Sequence, residues 1–269
     1  MNAPKIIFLG TAGSVASPDR DNTSFLVQVE KTILLIDCPG SVIQKTQKAG
    51  CRPEDIEALL VTHIHPDHIY GLPSFVHSLM AFDKCLKIFG SRESIDFCRD
   101  LLDLFRLRRE KIKYRVEFFP LELYREFSVG PFHCLPLKVP HHTSSLAYRF
   151  QTTSREVRFL YSADTPVCPS LFEENPGLDY LIHDCSAPSR FFDRDPSLYD
   201  MHTHARDLGK WASRVRVKTL IPCHFFGDLN FSLSEVELEI RENYSGTLII
   251  PEDFQEIELK VLGTGPDGG

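Results

Sequence analysis

The stretch with the densest chemistry in this 269-residue chain is Thr62-His63-Ile64-His65-Pro66-Asp67-His68, which places four strong metal ligands within six consecutive residues. It follows the apolar run Ala58-Leu59-Leu60-Val61, which reads as a buried strand. His63 and His65 are two residues apart, so an extended backbone points both to one side. Asp67 and His68 are adjacent, so their side chains diverge and suit a second ion beside the first. Imidazole nitrogens with a carboxylate fit zinc or iron better than calcium or magnesium. One histidine at a strand end is ordinarily structural. Three with an aspartate at this spacing point to a metal centre, provided the rest of the chain supplies the context.

Further strand ends carry metal-capable groups: Val139-Pro140-His141-His142, Tyr161-Ser162-Ala163-Asp164-Thr165 and Ile221-Pro222-Cys223-His224. Each is weak alone, because surface histidines and turn aspartates are common. Together they repeat one arrangement, an apolar run that delivers a ligand at its end. Asp37 closes another such run, before Cys38-Pro39-Gly40. Its ordinary role is a turn or helix cap. Beside the histidines it is read as an outer carboxylate that orients a ligand imidazole. Residues 106–115 hold six cations, Arg108 and Arg109 among them. They suit a helix C-terminus, whose dipole favours positive charge, or a phosphate-contacting ridge at the rim of the site.

The elements that must position these groups follow from periodicity and turn residues. Strands are expected over 5–10, 22–30, 32–37 and 58–61, and helices over 41–48 and 75–82. A further helix opens at Ser91 with Ile95, Cys98, Leu101, Leu102 and Phe105 on one face. From Tyr114 the chain is strand-rich, over 116–119, 126–129, 132–139, 146–152 and 157–162. Helices and strands then alternate: helix 169–174, strand 180–182, helix 205–214, strand 219–221, helix 232–244. A last strand pair is expected over 247–251 and 255–262. The pattern is α/β, with two mixed halves sharing one site in a single domain over 1–262 and a disordered tail over 263–269.

Composition bounds the function. At 42% hydrophobic and 25% charged residues the chain is ordinary globular protein. A net charge of −7 argues against a general nucleic-acid-coating protein, though not against a local basic groove. The eight cysteines form no CxxC pair, so a separate structural zinc is not expected. Several sit in apolar runs, where a reduced cysteine acts as a small hydrophobe. With no signal-peptide layout and no apolar run approaching ~18 residues, the expectation is a cytoplasmic protein without a membrane span.

The order THxHxDH, then His, then Asp in an SADT turn, then His resembles the metallo-β-lactamase fold superfamily over about residues 5–225. The resemblance implies a four-layer αβ/βα sandwich with a dinuclear site at one edge of two packed sheets. By position it implies that His63, His65 and a histidine of the 141–142 pair hold one metal. Asp67, His68 and His224 would hold the second, with Asp164 bridging. The family's spacing to Ala147-Tyr148 favours His141, leaving His142 as a rim or substrate residue. Phe8-Leu9-Gly10-Thr11-Ala12-Gly13 with Arg20 and Asn22, then Leu181-Ile182-His183-Asp184-Cys185, then His202-Thr203-His204-Ala205, are similar to the ribonuclease Z and phosphodiesterase branch. That similarity implies a catalytic His202 with Asp184 as its acidic partner; the plainer reading is a helix entry capped by Thr203. Ribonuclease Z usually carries a long tRNA-gripping insertion between the third motif and the bridging aspartate. Here only the expected hairpin over 146–162 lies there.

The resemblance therefore implies a metal-dependent hydrolase, foremost a binuclear-zinc phosphodiesterase, with manganese or iron as other metals. Asp67 would also orient the nucleophile or take its proton. The implied substrate is a small phosphodiester or RNA, and a homodimer is compatible with the reading. The alternatives are ester, lactone, arylsulfate or β-lactam hydrolysis at the same site, an iron-loaded redox protein, and a non-enzymatic binding protein.

Overall fold

The computed structural model describes residues 4–108, 113–153 and 157–260. The expected tail over 263–269 and Arg109 lie outside them. Strands β1 (Lys5–Gly10), β2 (Ser24–Val29), β3 (Thr32–Ile36), β4 (Ile56–Leu60), β5 (Cys85–Gly90) and β6 (Arg115–Pro120) form most of one sheet. Strands β7 (Phe127–Val129), β8 (Phe132–Lys138), β9 (Leu146–Thr152), β10 (Arg158–Tyr161), β11 (Tyr180–Asp184), β12 (Thr219–Cys223) and β13 (Thr247–Leu248) form the other. The last strand, β14 (Glu256–Glu258), returns to the first sheet beside β1. The orders are β14-β1-β2-β3-β4-β5-β6 and β13-β12-β11-β10-β9-β8-β7. Each sheet starts antiparallel and becomes parallel, at β3–β4 in the first and β10–β11 in the second.

The helices are α1 (Val42–Lys48), α2 (Pro66–Ile69), α3 (Leu72–Leu79), α4 (Arg92–Leu104), α5 (Pro169–Glu173), α6 (Ser189–Arg194), α7 (Ala205–Arg214) and α8 (Leu233–Arg241). Strand alternation sorts the side chains into layers. Phe25, Val27 and Val29 of β2 face the inter-sheet core with Phe132, Tyr148, Phe150 and Phe159, whereas Leu26 faces outward. The outer face of the first sheet is covered by Val42 of α1, Phe75 and Leu79 of α3 and Ile95 and Leu102 of α4. That of the second is covered by Phe172 of α5, Leu208 and Ala212 of α7 and Ile240 of α8. Helices outside two stacked sheets give the four-layer αβ/βα sandwich. No described helix is long and apolar enough to cross a membrane. All eight cysteines are free, and six of them are buried.

Three local expectations need correction. The segment expected as helix 75–82 starts earlier, at Leu72, because Pro73 sits in the first turn, where its missing N–H costs nothing. The cap of α7 is His204, whose Nδ1 accepts from Asp207 N at 3.3 Å, while Thr203 Oγ1 donates to the Thr165 carbonyl. The final two strands are not a pair. β13 lies beside β12 and β14 beside β1, so the chain crosses between sheets at the turn over 251–255. That crossing is tied down from afar: Arg20 Nη1 donates to the Pro251 carbonyl at 2.6 Å, and Asp253 accepts from Thr11 Oγ1 and Asp21 N.

Candidate metal centre

The ends of β3, β4, β8, β10, β11 and β12 open on one edge of the sandwich. This is where open α/β sheets usually place their sites. Asp37 follows β3, His63 follows β4, Asp164 follows β10, Asp184 ends β11 and His224 follows β12. Asp37, Ala163 and His224 have left-handed backbones, with φ of 58°, 54° and 67°. Such conformations cost about 1–3 kcal/mol each and gather where a site over-determines them. The two sheets are stitched at this edge. Tyr148 Oη donates to the Val61 carbonyl at 2.7 Å, and Leu146 N donates to the Thr62 carbonyl at 3.0 Å.

Three groups of donors result among the described residues, of which the third, Asp184, His202 and His224, shares His224 with the second. In the first, His65 Nδ1 lies 3.0 Å from His63 Nε2 and 3.1 Å from His141 Nε2. In the second, Asp67, His68, Asp164 and His224 converge. There Asp164 Oδ2 is 3.3 Å from His68 Nε2 and 3.0 Å from His224 Nε2, and Asp67 Oδ2 is 3.3 Å and 3.5 Å from the same atoms. Asp164 Oδ2 is also 3.9 Å from both His63 Nε2 and His141 Nε2, so one oxygen stands between these two groups.

Hydrogen bonds behind the rings fix which nitrogens carry lone pairs. Asp37 Oδ1 accepts from Thr62 N at 2.8 Å; its Oδ2 accepts from Thr62 Oγ1 and from His68 Nδ1, each at 2.8 Å. Thr62 Oγ1 has given its hydrogen to Asp37, so it accepts from His63 Nδ1 at 3.0 Å. His141 Nδ1 donates to the Met201 carbonyl at 2.8 Å. In their neutral forms His63, His68 and His141 therefore all present a bare Nε2.

These nitrogens fit a cation and little else. Two lone pairs of the first group face His65 Nδ1, which has at most one hydrogen to offer. Two nitrogens bound tetrahedrally to one zinc at ~2.0–2.1 Å sit ~3.3 Å apart, close to this spacing. In the second group His68 Nε2, His224 Nε2 and Asp164 Oδ1 are buried without a hydrogen-bond partner. Buried polar atoms are seldom left so.

The electrostatics agree. Burial and the neighbouring His68 charge hold His63 well below the ordinary histidine range. Burial opposes charge on His224, but Asp164, with Asp67 and Asp184, outweighs it and raises the imidazole to about 10. His68 is likewise lifted by Asp164, Asp67 and Asp37 against burial. Asp164 is driven well below the carboxylate range by His224 and His68, again against burial. Burial pushes the Asp37 carboxyl up, with His68 and Thr62 opposing. Three donors aimed at its two oxygens leave no acceptor for a carboxyl proton, so we take it as ionised. Protons thus stand in the second group where a cation would supply the positive charge.

Beside the first two groups stands His202, 8% exposed, its ring stacked on His224 at 5.3 Å and tilted to His141 at 5.1 Å. His202 Nδ1 donates to Asp184 Oδ2 at 2.9 Å. Asp184 also accepts from Thr165 N at 3.1 Å and Ser186 Oγ at 2.7 Å. With both oxygens engaged, Asp184 is a holder of His202 more than a metal ligand.

Other expected site residues fall outside these groups. His142 turns away; its Nδ1 accepts from Ser144 N at 3.2 Å, and its ring stands 5.3 Å from that of His65. Arg108 pairs with Asp103 at 2.7 Å and covers Phe118, contacts that include no residue of the centre. The phosphate-ridge reading of this arginine gains nothing from them. Thr62, Ser186 and the Met201 carbonyl are contributors that sequence reasoning missed. Thr62 sits inside the motif and could have been weighed as a relay, but nothing local marks a carbonyl as a ring holder.

Fold and centre together define a protein of the metallo-β-lactamase fold. Ribonuclease Z of Methanothermobacter thermautotrophicus is 24% identical over 309 aligned residues, covering 98% of this chain and 99% of that protein. Ribonuclease Z of Mycobacterium bovis is 25% identical over 283, covering 95% and 98%. Among solved structures, the metallo-beta-lactamase fold protein YhfI from Bacillus subtilis superposes with a TM-score of 0.80 at 20% identity, covering 96% of this chain and 100% of that one. The short form of human tRNase Z gives 0.75 at 19%, with the same coverage. The family described as Anti-Pycsar protein Apyc1 matches residues 4–231, and the chain belongs to that family.

Proposed function

We propose that this protein is a metal-dependent phosphodiesterase that carries two divalent cations, zinc foremost with manganese or iron as alternatives, and cleaves a small phosphodiester. His63, His65 and His141 would hold one cation. Asp67, His68 and His224 would hold the other, with Asp164 shared. When bound, such a pair lowers the pKa of water towards neutrality and neutralises charge on the non-bridging phosphate oxygens. Asp67 would also orient the attacking water and take its proton.

The observation that carries the reading is the Asp184–His202 pair, bonded at 2.9 Å beside the first two donor groups. Asp184 keeps the Nδ1 hydrogen and the ring plane, so Nε2 is the nitrogen that would take up a proton and, as the imidazolium, deliver it. An alkoxide leaving a phosphodiester near neutral pH needs such a proton, whereas an expelled stable anion does not. The relatives named ribonuclease Z support phosphodiester chemistry as the bond class. Two observations favour a small substrate over an RNA body. Between His141 and Asp164 the described chain forms only a turn and the β9–β10 pair. The net charge is −7, where counterion release on a long phosphate backbone calls for a basic surface.

The test is a panel of bis-p-nitrophenyl phosphate, small cyclic and alkyl phosphodiesters, precursor tRNA, a lactone, an arylsulfate and a β-lactam, run on zinc-, manganese- and iron-loaded protein. Small phosphodiesters should be turned over fastest. Removing His202 should lower kcat on an alkyl diester by ~10²–10⁴, and much less on the p-nitrophenyl ester, whose leaving group needs no proton. Preference for the lactone, arylsulfate or β-lactam, or equal turnover of alkyl diesters by His202→Ala, would refute the reading.

A further inference from the structure

The outer nitrogen of His224 is held more loosely than those of His63, His68 and His141. His224 Nδ1 is 3.5 Å from Ser186 Oγ and 3.8 Å from Asp184 Oδ1, whereas His68 and His141 are held by contacts of 2.8 Å. Its backbone is left-handed, and no regular strand continues beyond it. The ring must be steadied from elsewhere, and the strut after β1 does so. Phe225 N donates to the Thr11 carbonyl at 3.1 Å, and Gly13 N donates to the Phe225 carbonyl at 2.7 Å. Gly13 then lies against the imidazole. A β-carbon there would stand 3.1 Å from His224 Cε1, 3.2 Å from Nδ1 and 2.9 Å from Phe226 Cδ1. Only glycine allows this approach without displacing a neighbour.

Asn22 holds the strut in place. It is 6% exposed, and its Nδ2 donates to the Gly13 carbonyl at 2.7 Å and to the Ser14 carbonyl at 3.3 Å. Its own backbone segment is braced by Asp253, which accepts from Asp21 N at 2.8 Å and Thr11 Oγ1 at 2.7 Å. None of the Asn22 hydrogen bonds reaches His63, His65 or His141.

We propose that Asn22 is a positioning residue for the second cation: its amide presses Gly13 against the His224 imidazole and so sets affinity at Asp67, His68, Asp164 and His224 without touching a ligand. The inference rests on the two-cation reading. It separates the two sites, because the Asn22–Gly13 contact reaches only His224, whereas His63 and His141 of the first group are braced by Thr62 and the Met201 carbonyl. Outer groups that orient a metal-bound histidine typically set ~10–100-fold in affinity.

The test is cobalt and zinc titration of the metal-stripped full chain by chelator competition, with the visible cobalt spectrum and the melting temperature as further readouts. Wild type, Asn22→Ala, Gly13→Ala and His224→Ala are compared. Asn22→Ala should weaken one equivalent by ~10–100-fold and leave the other within ~3-fold of wild type, and the equivalent lost should be the one lost in His224→Ala. Gly13→Ala reaches the same contact from the other side and should show the same selectivity; it decides the matter if Asn22→Ala does not fold. Both equivalents unchanged, or both weakened alike together with the melting temperature, would overturn the proposal. Fewer than two equivalents on wild type would instead sink the two-cation reading, and this inference with it.

Discussion

Asp37→Asn changes almost no volume yet should disable the first and second donor groups. In the native protein Asp37 Oδ2 accepts from His68 Nδ1 and from Thr62 Oγ1, and Thr62 Oγ1 in turn accepts from His63 Nδ1. The substituted amide keeps one oxygen for Thr62 N and places an NH₂ where Oδ2 was. That NH₂ can only donate. His68 Nδ1 must then accept, which moves the ring hydrogen to Nε2. Thr62 Oγ1 must accept as well and turns its own hydrogen to His63 Nδ1, which moves that ring hydrogen to Nε2. One imidazole in each group loses the lone pair it offers. At ~10–100-fold for each outer contact the two losses together amount to ~10²–10⁴-fold, or about 3–6 kcal/mol of metal binding. Thr62→Val breaks the relay to His63 alone and should weaken one equivalent only. The assay is zinc affinity by chelator competition on metal-stripped protein, with near-UV circular dichroism confirming that the fold is kept. If Asp37→Asn binds both equivalents within a few-fold of wild type, the tautomer argument is wrong.

The remaining predictions use the same groups. His141→Ala should lose one metal equivalent by elemental analysis, whereas His142→Ala should keep both, since its Nδ1 is occupied by Ser144 N; the opposite result would exchange their roles. In the metal-free protein His224 is raised from 6.5 to about 10, so its contribution to stability is full below pH 6.5 and is lost as pH rises towards 10. Urea midpoints of the metal-free protein should therefore fall over that window, while zinc affinity rises over it as the competing protons leave; a flat metal-free profile would contradict this.

The sequence made the centre legible where ligand and strand lie close together in the chain. His63, His65, Asp67 and His68 could be read because an apolar strand ends directly before them. Asp164 and His224 could be found because each closes a similar run. The outer parts were legible only where chemistry betrays them. Asp37 is a carboxylate at a strand end and could be guessed as a ring holder. The Met201 carbonyl belongs to every residue type and could not. Adjacent His141 and His142 required coordinates, because their difference is set by a turn in which Ser144 and Ser145 capture the second histidine's ring and backbone N–H. The final strands were misread for a comparable reason. β13 and β14 are two and three residues long, too short to say which sheet they join. The crossing between them is decided by Arg20 and Asp253, contacts more than two hundred residues apart in the chain. Gly13 is visible in sequence as a loop glycine, but the imidazole it rests against comes from the far end of the fold.

The most direct measurement is anomalous diffraction at the zinc edge from a crystal of the zinc-loaded protein. The account predicts two peaks ~3.5–4 Å apart, one among His63, His65 and His141, the other among Asp67, His68 and His224, with Asp164 reaching both. Absence of a peak between these side chains, or a lone ion bound through other residues, would contradict it.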